Sequence, residues 1–180
     1  MTSKREIQTR ITEMLAAGEK KQAVFAALSG NGVSDKVVAR LIASHVDPQR
    51  CAKNKVHRWI VVALAYFQLL IVALVALLAI IKLPLIAGLL IAGFALAVAG
   101  VFVWGLTTNK AQVYNAFIML SVIHLPRQLQ GLDKDPLFAA LGMAFAVAVV
   151  AYVWFVRRRL FPDFTFISVG KVNGQYVFVD

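Results

Sequence analysis

Cysteine occurs once, at Cys51, so no internal disulfide can brace this chain. A thiol beside an apolar run is an acylation candidate in a eukaryote, and a reduced cytoplasmic thiol is the simpler expectation. Carboxylates are also scarce: nine Asp and Glu stand against 19 Lys and Arg, and none falls in a long apolar run. A proton-coupled transporter generally needs a carboxylate near the bilayer midplane, and small multidrug exporters carry a Glu in their first span. That feature is missing here. So are a P-loop, a GxGxxG after a strand, an HExxH and a GxSxG. His45 and His57 have no cysteine or carboxylate at ligand spacing. Nothing in the residues points to catalysis, to a cofactor or to a metal.

Charge as a whole is thin. Charged residues make up 16% of the 180 and hydrophobic ones 60%, where soluble chains average roughly 25% and 45–50%. A small globule cannot cover that much apolar surface. Lipid is the natural solvent, and the expected fold class is an all-α integral membrane protein.

Four apolar runs carry that expectation. Residues 59–81 and 137–156 hold no charge, and 85–106 follows the first after only Lys82, Leu83 and Pro84, which forces a hairpin. At 1.5 Å per residue each can cross a hydrocarbon core of ~30 Å. The third run, 111–126, is at the lower limit of length and includes Gln112, Asn115, Ser121 and His124. A re-entrant or interfacial helix is the alternative there.

Basic residues set the orientation. Eleven of the 19 Lys and Arg fall in residues 1–58 and four in 157–180. Four crossings put 16 of them on one side and leave Lys82, Arg127 and Lys134 on the other, as the positive-inside rule requires. Trp59, Trp104 and Trp154 then share the cytoplasmic interface. The reading is a four-helix transmembrane bundle with both ends in the cytoplasm, in which Arg157, Arg158 and Arg159 meet lipid headgroups. The formal net charge of +10 is thereby spent at membrane edges, which argues against nucleic acid as a partner.

Within the bundle, small residues recur at helical spacing: Gly88, Ala92, Ala95 and Ala99 on the second span, and Ala140, Ala144, Ala148 and Ala151 on the fourth. Such ridges let backbones approach where lipid removes the hydrophobic drive, so both are expected in packing contacts. Gln68, Asn115 and His124 are the intramembrane polar groups. Cross-helix hydrogen bonding explains Gln68 and Asn115, and a wet interfacial position explains His124.

Residues 1–56 read as a cytoplasmic segment of three short helices. Ser3 with Glu6 forms a capping box ahead of Ile7, Ile11, Met14 and Leu15, and Gly18 stops the helix. The second covers Lys20 to Ser29. Ser34 caps the third, Val33 and Val38 are placed as a staple, and Pro48 marks its end. The turn Gly30-Asn31-Gly32 with Lys36 and Arg40 beyond it also fits a helix-turn-helix, although a compact bundle explains the same residues without DNA. A segment at 57–156 then holds the spans, and 157–180 is a basic stop and a cytoplasmic β-hairpin. In that tail, runs 164–169 and 175–180 flank Asn173-Gly174, a strong hairpin signal; Lys171 should face Tyr176, and Val169 should face Phe178. A lone hairpin is barely stable in water, so the N-terminal helices, headgroups or a partner chain should cover it.

The runs Arg157-Arg-Arg-Leu-Phe-Pro-Asp-Phe164, Val172-Asn-Gly-Gln-Tyr-Val-Phe178 and Leu28-Ser-Gly-Asn-Gly-Val33 resemble pieces of small four-span bacterial inner-membrane proteins to which no function is attached. The resemblance covers most of the chain and implies a bacterial inner membrane. It implies no activity, substrate or catalytic residue.

The functional expectation is a non-enzymatic protein binding a protein partner through its N-terminal helices and hairpin, with Phe164, Phe166, Tyr176 and Phe178 as contacts. An immunity protein against a membrane-acting toxin is a specific version. The alternative is a small transporter or channel subunit, homo-oligomeric, with Gln68, Asn115 and His124 along its path. A membrane enzyme using His124 with Asp133 and Asp135 is the third.

Overall fold

The computed structural model describes residues 4–30, 32–129, 136–165 and 168–179. Ser3 of the expected capping box, Asn31, the Asp133-Lys134-Asp135 cluster and Phe166 lie outside the described residues, as do the side chain of Arg127 and the last residue of the second tail run. The chain is mostly helical, with one small antiparallel hairpin. Its residues divide into two compact units, one of Met1–Arg50 with Arg157–Asp180 and one of Cys51–Val156.

The terminal unit begins with α1 (Lys4–Ala16), α2 (Lys21–Leu28) and α3 (Asp35–Ala43), which pack on one another. Each buries one stripe: Ile7 and Ile11 on α1, Val24 and Leu28 on α2, Val38, Ala39, Ile42 and Ala43 on α3. Gly18 ends α1 with φ +86, and the Glu19 N–H returns to the Met14 carbonyl at 3.1 Å, a glycine-dependent C-terminal closure. Ser34 has cap backbone geometry but its hydroxyl makes no cap bond. Asp35 Oδ1 accepts from the Gly30 N–H instead, at 3.2 Å.

The third helix stops at Ala43, where the Ser44 hydroxyl donates to the Arg40 carbonyl at 2.7 Å. Pro48 is not a stop. It opens α4 (Pro48–Lys53), with Asp47 Oδ1 accepting from the Gln49 N–H at 2.8 Å. Proline suits a first helical position, whose N–H has no partner anyway, and aspartate suits the cap before it.

The central unit holds α5 (Lys55–Lys82), α6 (Leu85–Thr107), α7 (Ala111–Leu129) and most of α8 (Pro136–Leu160). Three of these, α5, α6 and α8, are long and apolar enough to cross a membrane; the apolar part of α7, Ala111–Pro126, is shorter. Their large side chains face outward: Phe94 and Phe138 are each 74% exposed, and Leu90 is 70% exposed. Exposed apolar surface on this scale is a membrane protein's surface, because water would not tolerate it.

The α5–α6 hairpin turns at Leu83 and Pro84, and α6 presents its small residues to α5. Gly88 and Ala92 are buried, while Ala95 and Ala99 are half-buried. A Cβ on Gly88 would come within 2.8 Å of the Ile80 Cα, so only glycine permits this approach. On α8, in contrast, Ala140, Ala144, Ala148 and Ala151 are exposed, and among the described residues α8 makes no extended close-backbone contact with α5, α6 or α7.

The tail carries β1 (Lys171–Val172) and β2 (Gln175–Tyr176), joined by Asn173 (φ +50) and Gly174 (φ +81). Both turn residues occupy the left-handed region that a two-residue hairpin turn demands. Lys171 pairs with Tyr176 and Val172 with Gln175. Val169 pairs not with Phe178 but with Phe164, and the Thr165 N–H donates to the Ser168 carbonyl at 3.0 Å. The 164–169 run is therefore not one extended strand.

Candidate functional site

The tail is anchored by a carboxylate that sequence patterning gave no reason to select. Asp163 is 3% exposed and takes three bonds that close the unit. Its Oδ2 accepts from Lys21 Nζ at 2.6 Å, its Oδ1 from the Val179 N–H at 2.6 Å, and its carbonyl from the Gly170 N–H at 3.0 Å. Phe25 of α2 stacks edge-on to Tyr176 at 5.4 Å and tilts against Phe178 at 5.7 Å. The aromatic face of the hairpin is thus covered by α2.

This packing locates the residues expected to meet a partner. Phe164 and Phe178 are buried and Tyr176 is half-buried, all inside the unit. Arg157 is also interior: it donates to the Thr165 carbonyl at 3.2 Å and lies 5.8 Å from the Phe164 ring centroid, whereas Arg158 and Arg159 are exposed. Near α2, His45 is held below the ordinary imidazole value, first by burial and then by the charge of Lys21, with Asp47 opposing.

The central unit is fastened by polar bonds at the N-terminal end of α5. His57 Nδ1 and the Tyr152 hydroxyl of α8 lie 2.9 Å apart, with Phe155 edge-on to the imidazole at 5.6 Å. Arg58 Nε donates to Asn109 Oδ1 at 2.8 Å. Asn109 sits in the α6–α7 turn with φ +54, a conformation asparagine tolerates better than most residues. Sequence reading took His57 only as a failed metal ligand; its partner is 95 positions away, beyond any local spacing rule.

Among the four helices lies a cavity of about 580 Å³ that is open on one side, where Phe67, Phe94 and Phe145 at its rim are exposed. Phe67 of α5, Phe94 and Phe102 of α6, Phe117 of α7 and Phe145 of α8 line it, with aliphatic side chains between them. Among the described residues its polar lining side chains are Gln68 on α5 and Ser121 and His124 on α7. Two of the three expected intramembrane polar residues therefore share one chamber. Asn115 does not line it; its buried Oδ1 accepts no hydrogen bond among the described residues. Ligand sites are typically clefts of roughly 300–1,000 Å³, mostly apolar with a few orienting polar groups, and this cavity has that character. Among the described residues no group of three or more His, Cys, Asp or Glu could hold a metal ion.

Comparisons with protein-family models, with curated proteins and with solved structures return no match. The chain is mostly helical, with three helices long and apolar enough to cross a membrane and an apolar cleft among its central helices.

Proposed function

We propose that this chain is a four-span protein of a bacterial inner membrane, with both ends in the cytoplasm, and that it binds a largely apolar small molecule bearing one hydrogen-bonding group. The cavity carries this reading, because an aromatic and aliphatic lining with only Gln68, Ser121 and His124 to orient a polar end suits an amphipathic ligand drawn from lipid. The skewed distribution of Lys and Arg supports the orientation. Release of such a ligand to either side would make the protein a small transporter, in keeping with the polar path expected from the sequence.

The test is photolabelling of the full chain in nanodiscs with a diazirine-bearing fatty acid. Label should concentrate on peptides containing Phe102, Phe117 and Val153, which line the cavity and are not exposed. Ala146→Trp, which fills the cavity, should remove it, while Ala140→Trp outside the cavity should not. Label spread evenly along the outer faces of α5 and α6 would sink the reading.

A second reading is favoured by a different observation, the exposed small-residue ridge of α8. That ridge suits close approach of another transmembrane helix, from a protein partner or a second copy. Ala144→Leu with Ala148→Leu should then abolish a stoichiometric association recovered in mild detergent. An unchanged association would retire this reading.

A further inference from the structure

The terminal unit contains a groove that neither reading uses. It has a volume of about 430 Å³ and lies between α3 and the tail, lined by Lys36, Arg40, Thr165, Ser168, Lys171 and Tyr176 among others. Among the described residues three cations face it, and no carboxylate does. Among the described residues neither Lys36 nor Lys171 pairs with an acid.

The positions of these cations have structural causes. Lys36 and Arg40 stand four apart on α3, so they share one helix face as like charges. The ammonium of Lys171 lies 4.4 Å from the Tyr176 ring centroid, and that ring is packed against Phe25. Register within the hairpin places Lys171 opposite Tyr176, so the turn at Asn173-Gly174 holds the third cation in place. The Thr165 hydroxyl donates to the Ser168 carbonyl at 3.0 Å, which leaves the Ser168 hydroxyl as the donor on this side of the groove.

We propose that this groove binds a phosphate group. Two ammonium groups, the guanidinium beside them and the Ser168 hydroxyl are donors of the kind that tetrahedral oxyanions take, and a bound anion offsets the like charge of Lys36 and Lys171. The phosphate comes either from an anionic lipid headgroup or from a soluble phosphorylated compound. This site is independent of the apolar cavity, which offers no cation to such a group.

The test is calorimetric titration of the full-length protein in neutral detergent with two probes, pyrophosphate and short-chain phosphatidylglycerol, with phosphatidylcholine as control. Saturable binding should weaken by about tenfold or more in K36Q/R40Q/K171Q, given the worth of charged hydrogen bonds. It should remain in K36R/K171R and be unchanged in R10Q, an exposed cation on α1 outside the groove. Because Lys36, Arg40 and Lys171 are exposed, circular dichroism should show the fold retained, and K36Q alone should already weaken binding. Saturation by phosphatidylglycerol alone assigns a lipid headgroup, and saturation by pyrophosphate as well assigns a soluble ligand. The proposal is overturned if neither probe binds, if phosphatidylcholine saturates equally well, or if R10Q weakens binding as much as the triple variant.

Discussion

In the terminal unit apolar side chains turn inward and the polar bonds that hold it are buried with them; in the central unit the large apolar side chains face outward, and small ones meet between α5 and α6. The solvent explains the difference. Water drives Ile7, Ile11, Val24 and Ile42 together, so short helices need only share a core and one well-placed ion pair. Lipid supplies no such drive, so α5 and α6 associate through a glycine that lets backbones touch. Where no such contact forms, as along α8, a chamber remains.

The largest expected effect tests the terminal half of that contrast. Asp163→Ala leaves the Lys21 ammonium, 13% exposed, without its carboxylate and frees the Val179 N–H. Removing one partner of a buried pair costs about 3–5 kcal/mol. Hydrogen exchange on the full chain should show protection lost together in α2 and the tail, with α5 and α6 unaffected. Retained protection at Val179 would mean that the aromatic contacts alone hold the tail.

The central half is tested by a pair of glycines. Gly88→Ala forces a Cβ against the Ile80 backbone, and overpacking of this kind costs about 1–3 kcal/mol. Gly93→Ala meets nothing within 4 Å and should be tolerated. Unfolding in graded detergent mixtures should separate the two variants; equal behaviour would show that α6 does not depend on close approach.

A smaller effect belongs to Tyr152→Phe, which removes one hydroxyl from His57. Polar contacts among membrane helices average about 0.6 kcal/mol, so a slight loss of stability is expected by the same assay, with photolabelling of the cavity little changed.

The smallest effect is a pH dependence. His45 is depressed in the folded state, so its contribution is fully present above the ordinary imidazole value of 6.5 and is lost as pH falls through its lowered folded value. The terminal unit should therefore melt lower at acid pH than at neutral pH, and His45→Gln should flatten that slope. A slope unchanged by His45→Gln would assign the effect to other groups.

Much of this architecture was legible before any coordinates. Apolar runs without charge mark α5, α6 and α8, Asn173-Gly174 marks the hairpin turn, and Gly18 marks the end of α1, because each signal is confined to neighbours along the chain. Pro48 misled because a proline that cannot continue a helix can still begin one. The 164–169 run read as a strand because β-branched and aromatic composition does not show which partner a residue finds; Val169 found Phe164. The two small-residue ridges have similar spacing, yet one is buried and the other exposed, since spacing shows what a face permits and not what approaches it.

Composition, charge placement and helical periodicity were enough to establish a helical chain with apolar helices of membrane-spanning length, since solvent preference and backbone geometry act residue by residue. Three features depended on the fold: Lys21 meeting Asp163, Gln68 and His124 entering one chamber, and Lys36, Arg40 and Lys171 surrounding one groove. Each joins residues tens of positions or more apart, and such pairings exist only after packing has chosen among the many faces that local patterning leaves equivalent.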